Sequence, residues 1–159
     1  MKTTLFLNKE ELVYQAPPIA KTGSVRYAPS FRVRLAEIKI IGYVPRIIVD
    51  DESDFLVLIT TTGSIHYFNL DVADKAVVAE LKGIFDIKLN ELPSIPFDKT
   101  NSHSFVVYPQ ELAQQPLFKP WSWFTLRGFL KNLGKSLGSD NPMWERLTNE
   151  IQAYLAKNF

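Results

Sequence analysis

The chain contains no cysteine, which excludes a disulfide scaffold, a thiol nucleophile and a thiolate-bound metal. It has only two histidines, His66 and His103, in 159 residues, and no HxH, HxxxH or HExxH spacing joins them. Its seven glycines form neither GxGxxG nor GxxxxGKS/T nor a GxSxG elbow, so no phosphate-cradling loop or hydrolase nucleophile turn is written in the chain. No uninterrupted apolar run approaches the ~18 residues of a membrane span. Neither sign of charge dominates: 18 basic and 17 acidic residues leave +1. With a pI near 7.9, that balance argues against a broad phosphate-tracking surface and against nucleic acid as a partner.

What is present is apolar. Hydrophobic residues make up 46% and aromatics 13%, too much for a disordered chain of so small a net charge. The length suits one domain over 1–159 with a real core. A β-rich body over about 1–110 and an aromatic, basic, helical portion over about 111–159 are expected. At the start, only Leu5–Leu7 is apolar before Asn8 and three charges, shorter than a signal peptide requires. We read it as a first strand, and a cytoplasmic location is expected.

Charge is uneven along the chain. Residues 1–49 carry eight basic and three acidic side chains, 50–98 carry three and ten, and 99–159 carry seven and four. The segments therefore sum to +5, −7 and +3. Ordinary solvated faces explain such a split, as do two surfaces with different partners.

Strand signals fill the first two-thirds. Glu11–Gln15 reads as a short strand ended by Pro17-Pro18, residues 21–24 as a turn, and Val25–Tyr27 as an extended piece. Phe31–Leu35 alternates apolar and charged residues with period two, and Ile38–Val44 continues until Pro45 limits it. The clearest feature is a hairpin, Asp54–Thr60 and Ser64–Asn69 around Thr61-Thr62-Gly63, with Gly63 free to take positive φ. Its first arm is almost wholly apolar and reads as a central strand. Asp50–Asp54 reads as a charged loop. Ala73–Lys82 is helical, with Val77, Val78 and Leu81 on one face, Asp71 or Asp74 at its start and Gly83 at its end. Phe85–Leu89 reads as a weak strand and His103–Tyr108 as another, stopped by Pro109.

Beyond this point the composition shifts. From Leu112 to Ser139 there are four basic residues and no acid. Leu126, Leu130, Leu133 and Leu137 form a helical stripe beside Arg127, Lys131 and Lys135. Asn141-Pro142 then opens a last helix presenting Trp144, Leu147, Ile151, Tyr154 and Leu155.

Two basic features are candidate sites. Lys21 with Arg32 and Arg34 places forked donors on one strand face, suited to phosphate or carboxylate; a solvated strand face is the plainer reading. Lys119, Trp121, Trp123, Arg127, Lys131 and Lys135 form a basic, aromatic tract of the kind that lies on anionic lipid. The same rings and leucines would also serve as core-facing residues covering the sheet. Asp50, Asp51, Glu52 and Asp54 lack the glycine and distant glutamate of a calcium loop. A catalytic role for His66 or His103 has no supporting spacing. No metal and no cofactor is expected.

The succession of short strands, then Arg34-Leu35-Ala36-Glu37-Ile38-Lys39-Ile40-Ile41-Gly42, then Leu56–Thr60 and Thr61–Phe68, then a helix, resembles bacterial pleckstrin-homology-like domains over roughly residues 5–83. The resemblance implies a bent antiparallel partial barrel plugged by a helix, and it makes Lys21, Arg32 and Arg34 similar to a phosphoinositide signature. After Gly83 the chain departs from that pattern. The reading is therefore an α+β fold, an antiparallel and strongly bent sheet with a mid-chain helix and two C-terminal helices. The expected role is a non-catalytic binding module with a protein or peptide partner. Peripheral binding to anionic lipid is the alternative, and an enzyme using His66 or His103 a second one.

Overall fold

A computed structural model describes residues 4–16, 29–48, 51–89, 104–119, 124–126, 130 and 146–158. Strands β1 (Thr4–Leu7), β2 (Glu11–Gln15) and β3 (Phe31–Arg34) form an antiparallel sheet in that order. Asn8 makes the first turn, its Oδ1 accepting from Glu10 N at 3.0 Å and Glu11 N at 2.8 Å. Burial alternates along β2 and β3, so Leu12, Tyr14 and Val33 face the core while Arg32 and Arg34 face solvent, as the period-two pattern requires.

A 3-10 turn, Leu35–Glu37, separates β3 from the second sheet. That sheet contains β4 (Ile38–Ile48), β5 (Asp51–Thr60), β6 (Ile65–Asn69) and β7 (Phe105–Tyr108), in the order β6-β5-β4-β7, all antiparallel. The expected single bent sheet is thus divided, among the described residues, into unclosed sheets of three and four strands, with a two-stranded ribbon beyond. The β5–β6 hairpin forms as expected: Gly63 has φ 75° and Thr60 N donates to Ser64 O at 3.0 Å. β5 lies inside the sheet, and Phe55–Ile59 are fully buried.

Several boundaries differ from expectation. Pro45 does not end β4, which runs on to Ile48. β7 pairs only with Ile41–Tyr43, so at Pro45 the strand has one hydrogen-bonded neighbour and a missing N–H is tolerated. Asp51–Asp54 are not a loop but the start of β5, paired with Pro45–Ile48. The mid-chain helix α1 is Lys75–Ile84, and the Asp74 carboxylate accepts from Ala76 N and Val77 N at its start. Gly83 lies inside it. The helix ends instead at Asp86, whose φ is 49°, with Ile87 N donating to Lys82 O at 2.8 Å, the six-to-one bond of a Schellman ending. That ending consumes the predicted Phe85–Leu89 strand, and Phe85 and Ile87 enter the core from a turn.

After β7, Gln110–Leu112 forms a second 3-10 turn, and the chain returns along β7. Val106 N donates to Gln115 O and Gln114 N to Val106 O, both at 2.9 Å. Leu117 then packs over Gly42, where a Cβ would lie 2.2 Å from Leu117 Cδ2. The ribbon β8 (Phe118–Lys119) and β9 (Arg146–Leu147) leads into helix α2 (Asn149–Asn158). The last helix therefore starts after Thr148, and Leu147 is a strand residue. Thr148 holds this junction: its N donates to Leu117 O at 3.1 Å and its Oγ1 to Pro116 O at 3.0 Å. The other expected C-terminal helix, and the Asn141, Pro142 and Trp144 start, fall outside the described residues apart from Leu126 and Leu130.

One apolar cluster extends from Leu5 to Ile151. Aromatic rings join the two main sheets: Tyr14 stacks on Phe31 at 5.5 Å and on Phe68 at 6.4 Å, and Phe31 meets His66 at 5.0 Å. Among the described residues no helix is long and apolar enough to cross a membrane.

Candidate functional site

The first candidate, the arginine face of β3, is half-committed already. Arg32 Nη1 lies 3.8 Å from Glu11 Oε2 on β2, and Glu11 is the cross-strand neighbour of Arg34. A carboxylate thus pairs with one of the two arginines and stands on the strand position opposite the other. Such an exposed pair contributes ~0–1 kcal/mol, so it opens readily to a stronger anion but also offsets part of the positive field. Lys21, the third member of this group, lies outside the described residues. Beside the arginines on the same outer face is Phe6, half exposed on β1 and aligned with Val13 and Arg32 across the sheet.

The second candidate is the basic aromatic tract. Trp121, Trp123, Arg127, Lys131 and Lys135 lie outside the described residues. Lys119 is described: its Nζ donates to Asn149 Oδ1 at the start of α2, and it stands opposite Arg146 across the β8–β9 ribbon. It therefore anchors the root of the tract rather than pointing freely to solvent. Phe118 beside it is buried. Beyond this anchor the chain presents Phe124, Leu126 and Leu130 with 102%, 78% and 57% of their surface exposed. At these three positions the expected core-facing role is not met, since the side chains lie largely in solvent; Trp121 and Trp123, which shared that reading, lie outside the described residues.

Exposing three large side chains within seven residues forgoes roughly 1.5–3 kcal/mol of burial for each. Scattered single apolar residues on a surface need no explanation, but three large ones within seven residues of sequence do. Leu126 and Leu130 are one helical turn apart in sequence, the spacing that reads as a stripe. Periodicity announces an apolar face but not what it meets, which is why the sequence admits both a core-facing and a lipid-lying role for it.

The histidines offer no catalytic arrangement among the described residues. His66 is half-buried against the Phe31 ring, and burial lowers its pKa from the ordinary 6.5, so it is neutral near pH 7. No carboxylate makes an ion pair or hydrogen bond with it among the described residues. His103 lies outside them. Among the described residues no three histidine or acidic side chains converge as metal ligands.

One acidic group was not anticipated. Asp54 N donates to Asp71 Oδ2 at 3.3 Å, and Asp71 N to Asn69 Oδ1 at 2.8 Å. Tyr43 joins them. Burial first, then a hydrogen bond to Asp54 and the charges of Asp54 and Asp71, push its phenol well above the usual range. A phenol held neutral in this way ties β4 to Asp54 of β5, which is itself bonded to Asp71 in the β6–α1 turn, and supplies no nucleophile. Sequence reading missed it because Tyr43, Asp54 and Asp71 come together only through strand pairing.

A third feature is a groove of about 300 Å³ on α1, lined by Leu70, Lys75, Val78, Ala79 and Lys82. It arises because Val78 and Leu81 turn into the core while the lysines stay on the rim.

No protein-family model matches this chain, no curated protein matches it, and no solved structure matches it.

Proposed function

We propose that the protein is a non-catalytic interaction module that binds a protein or peptide partner through the segment containing Phe124, Leu126 and Leu130. The observation that carries this reading is their exposure, above half of the available surface in each case. Apolar area of that kind in water is the usual mark of a surface completed by another molecule. The sheet body supports it as a rigid platform, with β5 buried and Lys119 and Thr148 fixing the root of the segment. In the same proposal the body is a pleckstrin-homology-like scaffold. Two antiparallel sheets followed by α1 support that likeness, while β7 beside β4 and everything after it are additions. Fold likeness alone names no ligand.

A second reading, attachment to anionic lipid, is favoured by the absence of any acidic residue between Leu112 and Ser139. Photo-crosslinking separates the two. A photoreactive residue placed at 124, 126 or 130 is expected to trap a polypeptide of defined mass, and one at the exposed Glu80 is not. Co-sedimentation with phosphatidylglycerol vesicles, lost at high salt and without any polypeptide adduct, would establish the lipid reading instead. Labelling at 124, 126 and 130 no different from Glu80 would refute both.

A further inference from the structure

We infer that the α1 groove is a second docking site, independent of the 124–130 segment, for an acidic amphipathic helix of a protein partner. The occupant follows from the lining. The floor is apolar, made by Leu70, Val78 and Ala79, and the rim carries Lys75 at one end and Lys82 at the other. Residues 75 and 82 are seven apart, two helical turns, so their Cα atoms project from one face ~10 Å apart along the axis. Neither lysine makes an ion pair with another described residue. The nearby acids are engaged elsewhere. Asp74 caps the helix through Ala76 N and Val77 N, and Asp71 accepts from Asp54 N. Neither lines the groove, and Glu80 projects from another side of α1.

Two cations ~10 Å apart across an apolar floor are poorly matched to one phosphate or carboxylate headgroup, which needs donors converging on one point. They match a helix carrying two carboxylates at i and i+7 with apolar residues at i+3 and i+4 between them. Such a helix presents the same spacing as Lys75, Val78, Ala79 and Lys82 in mirror charge. The concave floor also separates this surface from a membrane-lying face, which is convex and continuous with the lipid.

The test uses the full chain and a fluorescent helical peptide containing Glu-Ala-Ala-Leu-Leu-Ala-Ala-Glu. Saturable binding is expected. Replacing both glutamates by glutamine, or using Lys75→Gln with Lys82→Gln, is expected to weaken it roughly two- to thirtyfold, as two partly exposed ion pairs allow. Ala79→Trp fills the groove from an exposed position and should abolish binding while both lysines remain; an unchanged circular dichroism melt confirms that it folds. Binding should also survive F124D/L126D/L130D, which separates this site from the segment discussed above. No binding to the wild-type chain, equal binding by the glutamine peptide, or full binding by Ala79→Trp would each overturn the proposal. So would Lys75- and Lys82-dependent capture of phosphatidylglycerol vesicles without peptide binding, or self-association of the chain lost on charge reversal at those lysines. The first of these would assign the groove to lipid and the second to another copy of the protein.

Discussion

Phe55, Leu56, Val57, Leu58 and Ile59 are all withdrawn from water, whereas Phe124, Leu126 and Leu130 stand mostly in it, although the residue types are nearly the same. The difference lies in what surrounds them. β5 has a hydrogen-bonded strand on either side, and the burial of consecutive residues from Phe55 to Ile59 shows that both of its faces are covered as well. Phe124, Leu126 and Leu130 come after Leu117 and Phe118 in the sequence, and among the described residues those two are buried in the core while the later three are not. Apolar sequence is therefore buried in one stretch and exposed in the other, and in our proposal the exposed one offers contact to a partner. Stability measurements should tell them apart.

The largest effect is expected in the strand. Phe55→Ala should cost about 3–5 kcal/mol in urea unfolding, through lost burial and the cavity left behind. A loss below ~1 kcal/mol would erase the contrast between the regions. Gly42→Ala probes the point where the core closes. Its new Cβ meets Leu117, itself fully buried, so overpacking of about 1–3 kcal/mol is expected. The G42A/L117A double variant should lose less than the sum of the two single changes. Asp74→Ala should cost about 1 kcal/mol by removing the α1 cap. Single alanine substitutions at Phe124, Leu126 and Leu130 should change stability by ~0.5 kcal/mol or less while weakening partner capture.

The smallest effect concerns His66. Its folded pKa lies below the ordinary 6.5 because of burial. The folded state therefore resists protonation more than the unfolded chain does. The stability it supports is present above the unfolded pKa and is lost as pH falls through the folded one. His66→Gln should flatten the decline in melting temperature between about pH 7 and 5 relative to wild type. Identical slopes would show that the histidine is not buried against Phe31.

Much of this fold is legible in the sequence. The strict alternation of Phe31–Arg34 and the all-apolar run before Gly63 gave strands on the correct faces, because burial imposes period two directly. Errors gather where a local signal competes with a tertiary one. Pro45 reads as a strand end only if both neighbours are assumed, and Asp51–Asp54 read as a loop until β4 is seen to extend alongside. Gly83 reads as a helix end, yet Asp86 takes the left-handed position. For the candidate sites, charge and exposure at Arg32 and Arg34 were readable. The Glu11 carboxylate beside them, the Tyr43–Asp54–Asp71 group and the α1 groove were not, since each is assembled by pairing or packing between distant segments. A leucine stripe at 126 and 130 fits a core and a contact surface equally well in the sequence, and only the exposure of Leu126 and Leu130 in the structure argues against the core.

The most direct test replaces all three exposed side chains at once and follows urea unfolding of the purified chain together with the yield of partner crosslinked by a photoreactive residue at the exposed position 125. With F124D/L126D/L130D, the unfolding midpoint should stay where it is and the yield should fall at least tenfold. A midpoint lowered as far as that of Phe55→Ala, with partner yield intact, would mean that these residues belong to the core.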